Sequence, residues 1–322
     1  MARPAPSRKR AQDAATVLAF KAGWRAVRAL PEPAAYALFE KIADVLHRRG
    51  GKDVERMRSN YARVRPELDA AALDDLTREG LRSYFRYWCD AFRLQSLSQD
   101  DLRSLVRTTG AIDQVRADLA AGESIVLYLG HLGNWDLAGA WSATELAHVT
   151  TVAERLEPDE LFRAFLEFRE GLGMTIIPLT QGVDVMGQVE AALRVPGAFA
   201  PLLSDRDLTQ RGVTVKLAGH DARVAAGPAI LARRTGARLY PVTITYDPPK
   251  GRAMRGIEIR FHDPVDAGSS PDMRADVLAA TQQCVDALST AIVERTEDWH
   301  MMQRVFVEDL DPARDAERRR AA

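Results

Sequence analysis

The chain has 322 residues, enough for one large α/β domain or two smaller ones, and its 46% hydrophobic and 28% charged content is that of a soluble globular protein. Its two cysteines, Cys89 and Cys284, have no motif spacing, which excludes a disulfide framework and a cysteine-based metal site and fits a reducing compartment. The overall charge of −1 conceals an imbalance, because residues 1–65 carry 15 Lys/Arg against 6 Asp/Glu, a net of +9 that leaves −10 for the remainder. A basic segment of this kind suits an anionic lipid surface or nucleic acid, and charge alone does not choose between them.

No stretch approaches the ~18 uninterrupted apolar residues of a membrane span. Ala14 to Phe20 stops at Lys21 and is too short for a signal peptide. The expected location is therefore cytosolic, with a surface-bound state open. Residues 1–10 read as a disordered basic leader. From Thr16 to Leu30, Val17, Phe20, Trp24, Val27 and Leu30 recur at helical spacing, with Lys21, Arg25 and Arg28 on other sides. This pattern suits a membrane-surface helix with an aromatic anchor, and equally a core-packing helix with solvated arginines. Pro31 and Pro33 break the helix, and a second follows over Ala34 to Arg49 before Gly50-Gly51. Residues 53–120 read as entirely helical, with an aromatic cluster at Tyr84, Phe85, Tyr87, Trp88 and Phe92. Residues 11–120 thus form an N-terminal helical segment with membrane-surface amphipathic helices.

At Ser124 the pattern changes. Apolar runs at Ser124 to Leu129, Val149 to Ala153, Thr175 to Pro178, Ala198 to Leu203, Val213 to Leu217, Leu239 to Tyr246 and Gly256 to Phe261 read as strands. Helical stretches at Pro158 to Leu172, Val183 to Leu193 and Gly227 to Thr235 separate several of them. The alternation predicts an α/β fold, a mainly parallel central sheet flanked by helices, over residues 121–308. A last helix spans Asp272 to Arg295, residues 309–322 read as a frayed tail, and the whole is expected to be one integrated domain.

In open α/β sheets the ligand site lies beyond the carboxyl ends of the strands. Three strand candidates end at groups of catalytic type: Leu129 leads to His131, Ala153 to Glu154 and Leu203 to Asp205, with Arg155 and Arg206 alongside. His131 and Asp136 are five residues apart, a rotation of about 140° on an ideal helix, so they cannot share a helical face. The pair works if His131 stands in the turn before a helix and Asp136 in its first turns, with Gly130 and Gly133 permitting a close approach. Asp136 then accepts the proton on one imidazole nitrogen and leaves the other as a base. There is no G-x-S-x-G, no phosphate-binding G-x-x-x-x-G-K-[ST], no H-E-x-x-H and no G-x-G-x-x-G. What remains is a base that activates an external hydroxyl for attack on an already activated donor.

The segment GHLGNWDLAG (130–139) resembles the His-x4-Asp motif of the lipid A biosynthesis (lauroyl/myristoyl) acyltransferase family, and within it the actinobacterial branch acting on phosphatidylinositol mannosides. The likeness extends through YFRYWCDAFRL (84–94), VAERLEPDELFRAFLEFRE (152–170), LLSDRDLTQRGV (202–213), AAGPAILARRTGARLYPV (225–242) and EDWHMMQRVFVEDL (297–310). It implies an α/β enzyme, peripheral at the cytoplasmic face of the cell membrane. There it moves a fatty acyl chain from acyl-CoA, a co-substrate, to a mannose hydroxyl of a phosphatidylinositol mannoside or similar anionic glycolipid. It implies His131 as general base with Asp136 as its partner, and Glu154, Arg169 and Asp205 as polar residues lining the active site; with Arg155 and Arg206 added from their places beside the strand ends, the expected site has His131, Asp136 and Asp205 as catalytic residues and Glu154, Arg155, Arg169 and Arg206 as substrate-binding residues. No metal, no further cofactor and no nucleic-acid partner are expected. Two departures stand out: the third carboxylate, often Glu in relatives, is Asp205, and Leu217-Ala218-Gly219 replaces the usual Phe-Phe-Gly.

Bland readings stand beside these. Glu154 and Arg155 fit a solvated pair, Arg169 a surface charge, and Asp205 a turn cap or a partner of Arg206. His220, His262 and His300 fit loops or a helix end and are assigned no chemistry, and Trp135 and Trp141 fit packing of the motif helix. The alternative acceptors are another glycolipid or a lysophospholipid. A non-catalytic membrane- or nucleic-acid-binding protein is the alternative of another class, disfavoured because the aromatic cluster lies apart from the Lys/Arg-rich segment.

Overall fold

The computed structural model describes residues 22–310 except 156–157, 181, 208–211, 250 and 252. The leader at 1–10, the first part of the amphipathic segment and residues 311–322 lie outside the described residues. Residues 22–29 are helical (α1), and α2 (Glu32–Arg49), α3 (Lys52–Val64), α4 (Ala70–Leu94) and α5 (Gln99–Leu105) follow. Local chemistry sets their ends. Pro33 stands in the first turn of α2, where its missing N–H costs nothing. Asp69 caps α4 through the Ala72 amide at 2.8 Å, and Ser98 and Asp101 form a reciprocal capping box on α5.

The α/β part runs β1 (Val106–Gly110), α6 (Ile112–Ala120), β2 (Ile125–Leu129), α7 (Trp135–Glu145), β3 (Val149–Glu154), α8 (Asp159–Glu170), β4 (Met174–Leu179), α9 (Val185–Leu193) and β5 (Phe199–Leu203). It continues through β6 (Val213–Leu217), β7 (His220–Val224), α10 (Gly227–Thr235), β8 (Arg238–Tyr246), β9 (Ile257–Phe261) and α11 (Met273–Glu294). Seven strands form one sheet in the order β1-β9-β8-β2-β5-β3-β4, parallel at every pairing except β8 with β9. The fold is the expected α/β arrangement with an N-terminal helical region.

The central strand shows why. All five residues of β2 (IVLYL) are buried, as a strand covered on both faces requires. Its side chains alternate between two cores: Val126 and Tyr128 join the cluster built with α3, α9, α10 and α11, whereas Ile125, Leu127 and Leu129 join the one built with α4, α7 and α8.

Two expectations need correction, and one open choice narrows. Residues 53–120 are not entirely helical, because Val106–Gly110 (VRTTG) is an edge strand parallel to β9. Its half-exposed polar residues carry no apolar alternation, so only the pairing partner reveals it. The apolar run Val213 to Leu217 belongs to a separate hairpin, in which β6 pairs antiparallel with β7, and the polar sequence of β7 (HDARV) hid that partner. In the described part of α1, Trp24 is no free anchor. Its ring packs 5.3 Å from Phe168 and 5.2 Å from Phe92, its indole N–H donates to the Phe92 carbonyl at 2.9 Å, and Val27 is buried. The core-packing reading holds for these residues.

Candidate active site

Parallel register builds the site. Leu129 of β2 lies opposite Leu203 of β5, so the residue two positions beyond each strand end, His131 and Asp205, arrive side by side. The imidazole Nδ1 is 2.6 Å from Asp205 Oδ1, and the backbone N–H of His131 donates to Oδ2 at 2.9 Å. The Trp299 indole N–H donates to the same Oδ2 at 2.9 Å. Asp205 has no solvent exposure. Burial by itself raises its carboxyl, but the charge and hydrogen bond of His131, with the Trp299 and backbone bonds, hold it below the usual carboxylate value. Gly130 leaves room for this contact: a Cβ there would stand 3.2 Å from Asp205 Oδ2 and 3.0 Å from Leu288.

His131 stands in the turn before α7 and Asp136 in the first turn of that helix, as their spacing demands. Their partnership is a different matter. Asp136 is 97% buried and receives two bonds from Arg169, at 2.8 and 3.2 Å, and one from the Tyr87 hydroxyl at 2.7 Å. The expected role of Asp136 as partner of the imidazole is corrected: Asp205 fills it, because Asp136 points from α7 toward α8 and α4. Burial disfavours the Arg169 charge, and Asp136 more than restores it, so the guanidinium is held firmly protonated. Arg169 is thus no surface charge.

The motif turn is fixed from two sides. Asn134 caps α7 through the Leu137 amide at 2.9 Å and donates to Asp90 Oδ2 at 2.9 Å. Asp90 also receives the hydroxyls of Tyr36 and Tyr246. From the other side, the segment after α11 lies across the turn. Gly133 N–H donates to Asp298 O at 2.9 Å, His300 N–H donates to His131 O at 2.8 Å, and Leu132 bridges Trp299. Gly133 adopts φ +61, and a Cβ there would meet Ile244 O at 2.4 Å, so this position requires glycine.

Above His131 lies a cavity of about 430 Å³. Its lining is mostly apolar, with Trp88, Val152, Phe162, Phe165, Leu166, Leu179, Val185, Met186 and Leu202, and it includes the polar groups of Glu154, Arg169, Arg206 and His300. Glu154 and Arg206 pair at 3.1 Å. Arg155 lies outside this lining and pairs with Asp159 at 2.8 Å on the exposed start of α8. Asp205 and Asp136 stand behind the wall, acting on it through His131 and Arg169. Sequence reasoning missed Tyr87, Trp299 and His300. Tyr87 sat within the aromatic cluster, and Trp299-His300 within the 297–310 stretch that carries part of the family likeness, but nothing in either stretch marked its contact.

The fold and site define a class: an α/β protein with a histidine–aspartate pair beneath a mostly apolar cavity. The family model for bacterial lipid A biosynthesis acyltransferases matches residues 6–308, and the chain belongs to that family. It is 40% identical over 301 residues to the phosphatidylinositol mannoside acyltransferase of Mycolicibacterium smegmatis, covering 94% of each chain. It is 38% identical over 317 residues to the protein of the same name from Mycobacterium tuberculosis, covering 98% of this chain and 96% of that one.

Proposed function

We propose that this protein transfers a fatty acyl chain from acyl-CoA to a mannose hydroxyl of a phosphatidylinositol mannoside at the cytoplasmic face of the cell membrane. The observation that carries the reading is the His131–Asp205 pair below the apolar cavity, on a chain whose close relatives bear that substrate in their names. Asp205 engages Nδ1 and fixes the tautomer, so Nε2, which has no protein partner among the described residues, is the basic nitrogen. Nε2 takes the hydroxyl proton as the sugar oxygen attacks the thioester carbonyl, and Asp205 stabilises the imidazolium. Collapse of the tetrahedral intermediate forms the ester, breaks the C–S bond, and returns the proton from His131 to the CoA thiolate.

The apolar lining suits the acyl chain, and Arg169, Arg206 and Glu154 stand where polar parts of donor and acceptor meet it. Membrane attachment is supported by the basic N-terminal fifth and by α2, which exposes Leu38 and Ile42 beside Lys41. No helix among the described residues is long and apolar enough to cross a membrane. Labelled palmitoyl-CoA, offered to a panel of phosphatidylinositol mannosides, other glycolipids and lysophospholipids with mass-spectrometric product identification, tests donor and acceptor together. The mannolipid is expected to be acylated, and His131→Ala to lower transfer at least a thousandfold. Near-normal transfer by the variant overturns the base assignment, and acylation confined to another lipid overturns the acceptor.

A further inference from the structure

Every strand from β2 to the β4 edge of the sheet brings its carboxyl end to the cavity. His131 stands beyond β2, and Leu203 of β5, Ala153 of β3 and Leu179 of β4 follow in sheet order. Three strand spacings of about 4.8 Å therefore separate the imidazole from the edge strand, and the gap between β5 and β3 is wider still, because these two pair only at Val149–Phe199 and part after it. Along the strands the deeper lining residues are apolar and the later ones polar: Val152 and Ala153 precede Glu154, and Leu202 and Leu203 precede Ser204 and Arg206. The cavity has an apolar floor and a polar rim, so an acyl chain whose thioester lies at His131 runs along the floor toward β4.

At that far side the chain leaves β4 and returns as α9, whose first residues, Val185 and Met186, line the cavity. Asp184 caps this turn by accepting the Gly187 N–H at 2.8 Å, which fixes the Met186 backbone, while its unbranched side chain keeps its rotamer freedom. Facing it is Gly227, the first residue of α10 and also part of the lining. A Cβ on Gly227 would meet Met186 Sδ at 3.8 Å and no other heavy atom of the described residues within 4 Å. Gly227 lies outside the left-handed backbone region, so neither its conformation nor a close neighbour demands glycine there. What the missing Cβ leaves is open space in front of Met186.

We propose that Met186, set against the open space left by Gly227, forms the adjustable far wall of the cavity and selects the length of the acyl chain. The proposal deepens the acyl-donor reading above and rests on it. Each methylene that finds apolar contact strengthens binding about fourfold, whereas one that must push a packed wall loses that gain to strain. Moving the wall by a few heavy atoms therefore moves the preferred length by a comparable number of carbons. Met186 and Gly227 act on the chain end, away from the reacting atoms.

Lauroyl-, myristoyl-, palmitoyl- and stearoyl-CoA, offered singly to the full chain with the lipid panel present, test it; the released CoA thiol counts transfer to lipid and to water alike. Met186→Ala is expected to raise the kcat/KM ratio of stearoyl- to myristoyl-CoA at least fourfold over the wild type, and Gly227→Leu to lower it by as much. Gly227→Ala, whose Cβ fits at ordinary contact distance and which suits a helix better than glycine, should move the ratio the same way as leucine by a smaller step, and it keeps the test open if leucine disturbs α10. A general lesion lowers all four rates in parallel and leaves the ratio where it was. An unchanged ratio at either site, or shifts in the same direction at both, overturns the proposal while the donor reading stands. A wild type that uses none of the four thioesters overturns the donor reading and the proposal together.

Discussion

The carboxylate that orients His131 comes from 74 residues downstream, not from five, and that separates two acidic residues into two jobs. Asp205 touches the imidazole and Asp136 anchors Arg169 and Tyr87. Conservative neutralisation should therefore produce opposite signatures. Asp205→Asn keeps the shape but offers Nδ1 an amide that no longer selects the productive tautomer or stabilises the imidazolium. The expected result is a fall in kcat on the order of 10³- to 10⁴-fold with KM little changed. Asp136→Asn leaves the 81%-buried Arg169 side chain without its counter-charge, a loss of about 3 kcal/mol or more, so thermal unfolding should shift down by several degrees. Steady-state kinetics and calorimetry on the two variants decide the matter. An Asp136→Asn protein of normal stability and crippled kcat, beside an active Asp205→Asn protein, would reverse the assignment.

At the level of elements, the motif turn is held by pieces distant in sequence: the cap of α7 on Asp90 of α4, and the segment after α11 crossing residues 131–133. Asp90 also ties in α2 and β8 through Tyr36 and Tyr246. Burial raises its carboxyl to about 6, against the opposing pull of those hydroxyls, Arg86 and Asn134. The unfolded value is about 3.9, so the folded chain holds this proton more tightly. The stabilisation is complete below about pH 4 and is lost as pH rises through 6. Relative to Asp90→Asn, the wild type should lose on the order of 2 kcal/mol between pH 4 and pH 7, read from urea midpoints at both values. Parallel pH profiles for the two proteins would show that Asp90 does not titrate in this window. The same long-range character explains what the sequence disclosed. The apolar runs marked β2, β3, β5 and β8, and the rule of carboxyl-end sites brought Asp205 beside His131 as a candidate. Which carboxylate meets the imidazole depends on the Leu129–Leu203 register, a pairing that no local pattern encodes. Likewise β1 and β7 are legible only from their partners, and Trp299 only from the crossing that delivers its indole to Asp205.

For the whole molecule, charge and apolar surface bear on where the cavity operates. The chain is nearly neutral in sum, yet residues 1–65 are strongly basic, and α2 adds exposed Leu38 and Ile42 to that same part of the protein. Val27 is buried, and Trp24 is half-buried with its indole N–H on the Phe92 carbonyl, so both make core contacts in the folded chain. On the proposed membrane reading, the candidates for attraction to lipid are the charge ahead of them and α2. Residues 1–21 hold Arg3, Arg8, Lys9, Arg10 and Lys21 against Asp13 alone. Each basic residue near an anionic surface is worth about 1 kcal/mol at most, and salt screens it. Deleting residues 1–21 is expected to weaken co-sedimentation with vesicles of equal phosphatidylglycerol and phosphatidylcholine at least tenfold at about 0.05 M salt, with the gap narrowing at higher salt. The melting temperature should hold, because the cut spares Trp24; a cut through residue 30 removes that anchor and confounds binding with stability. Equal vesicle binding by the shortened chain at low salt would assign membrane attachment to the α2 surface rather than to the basic end.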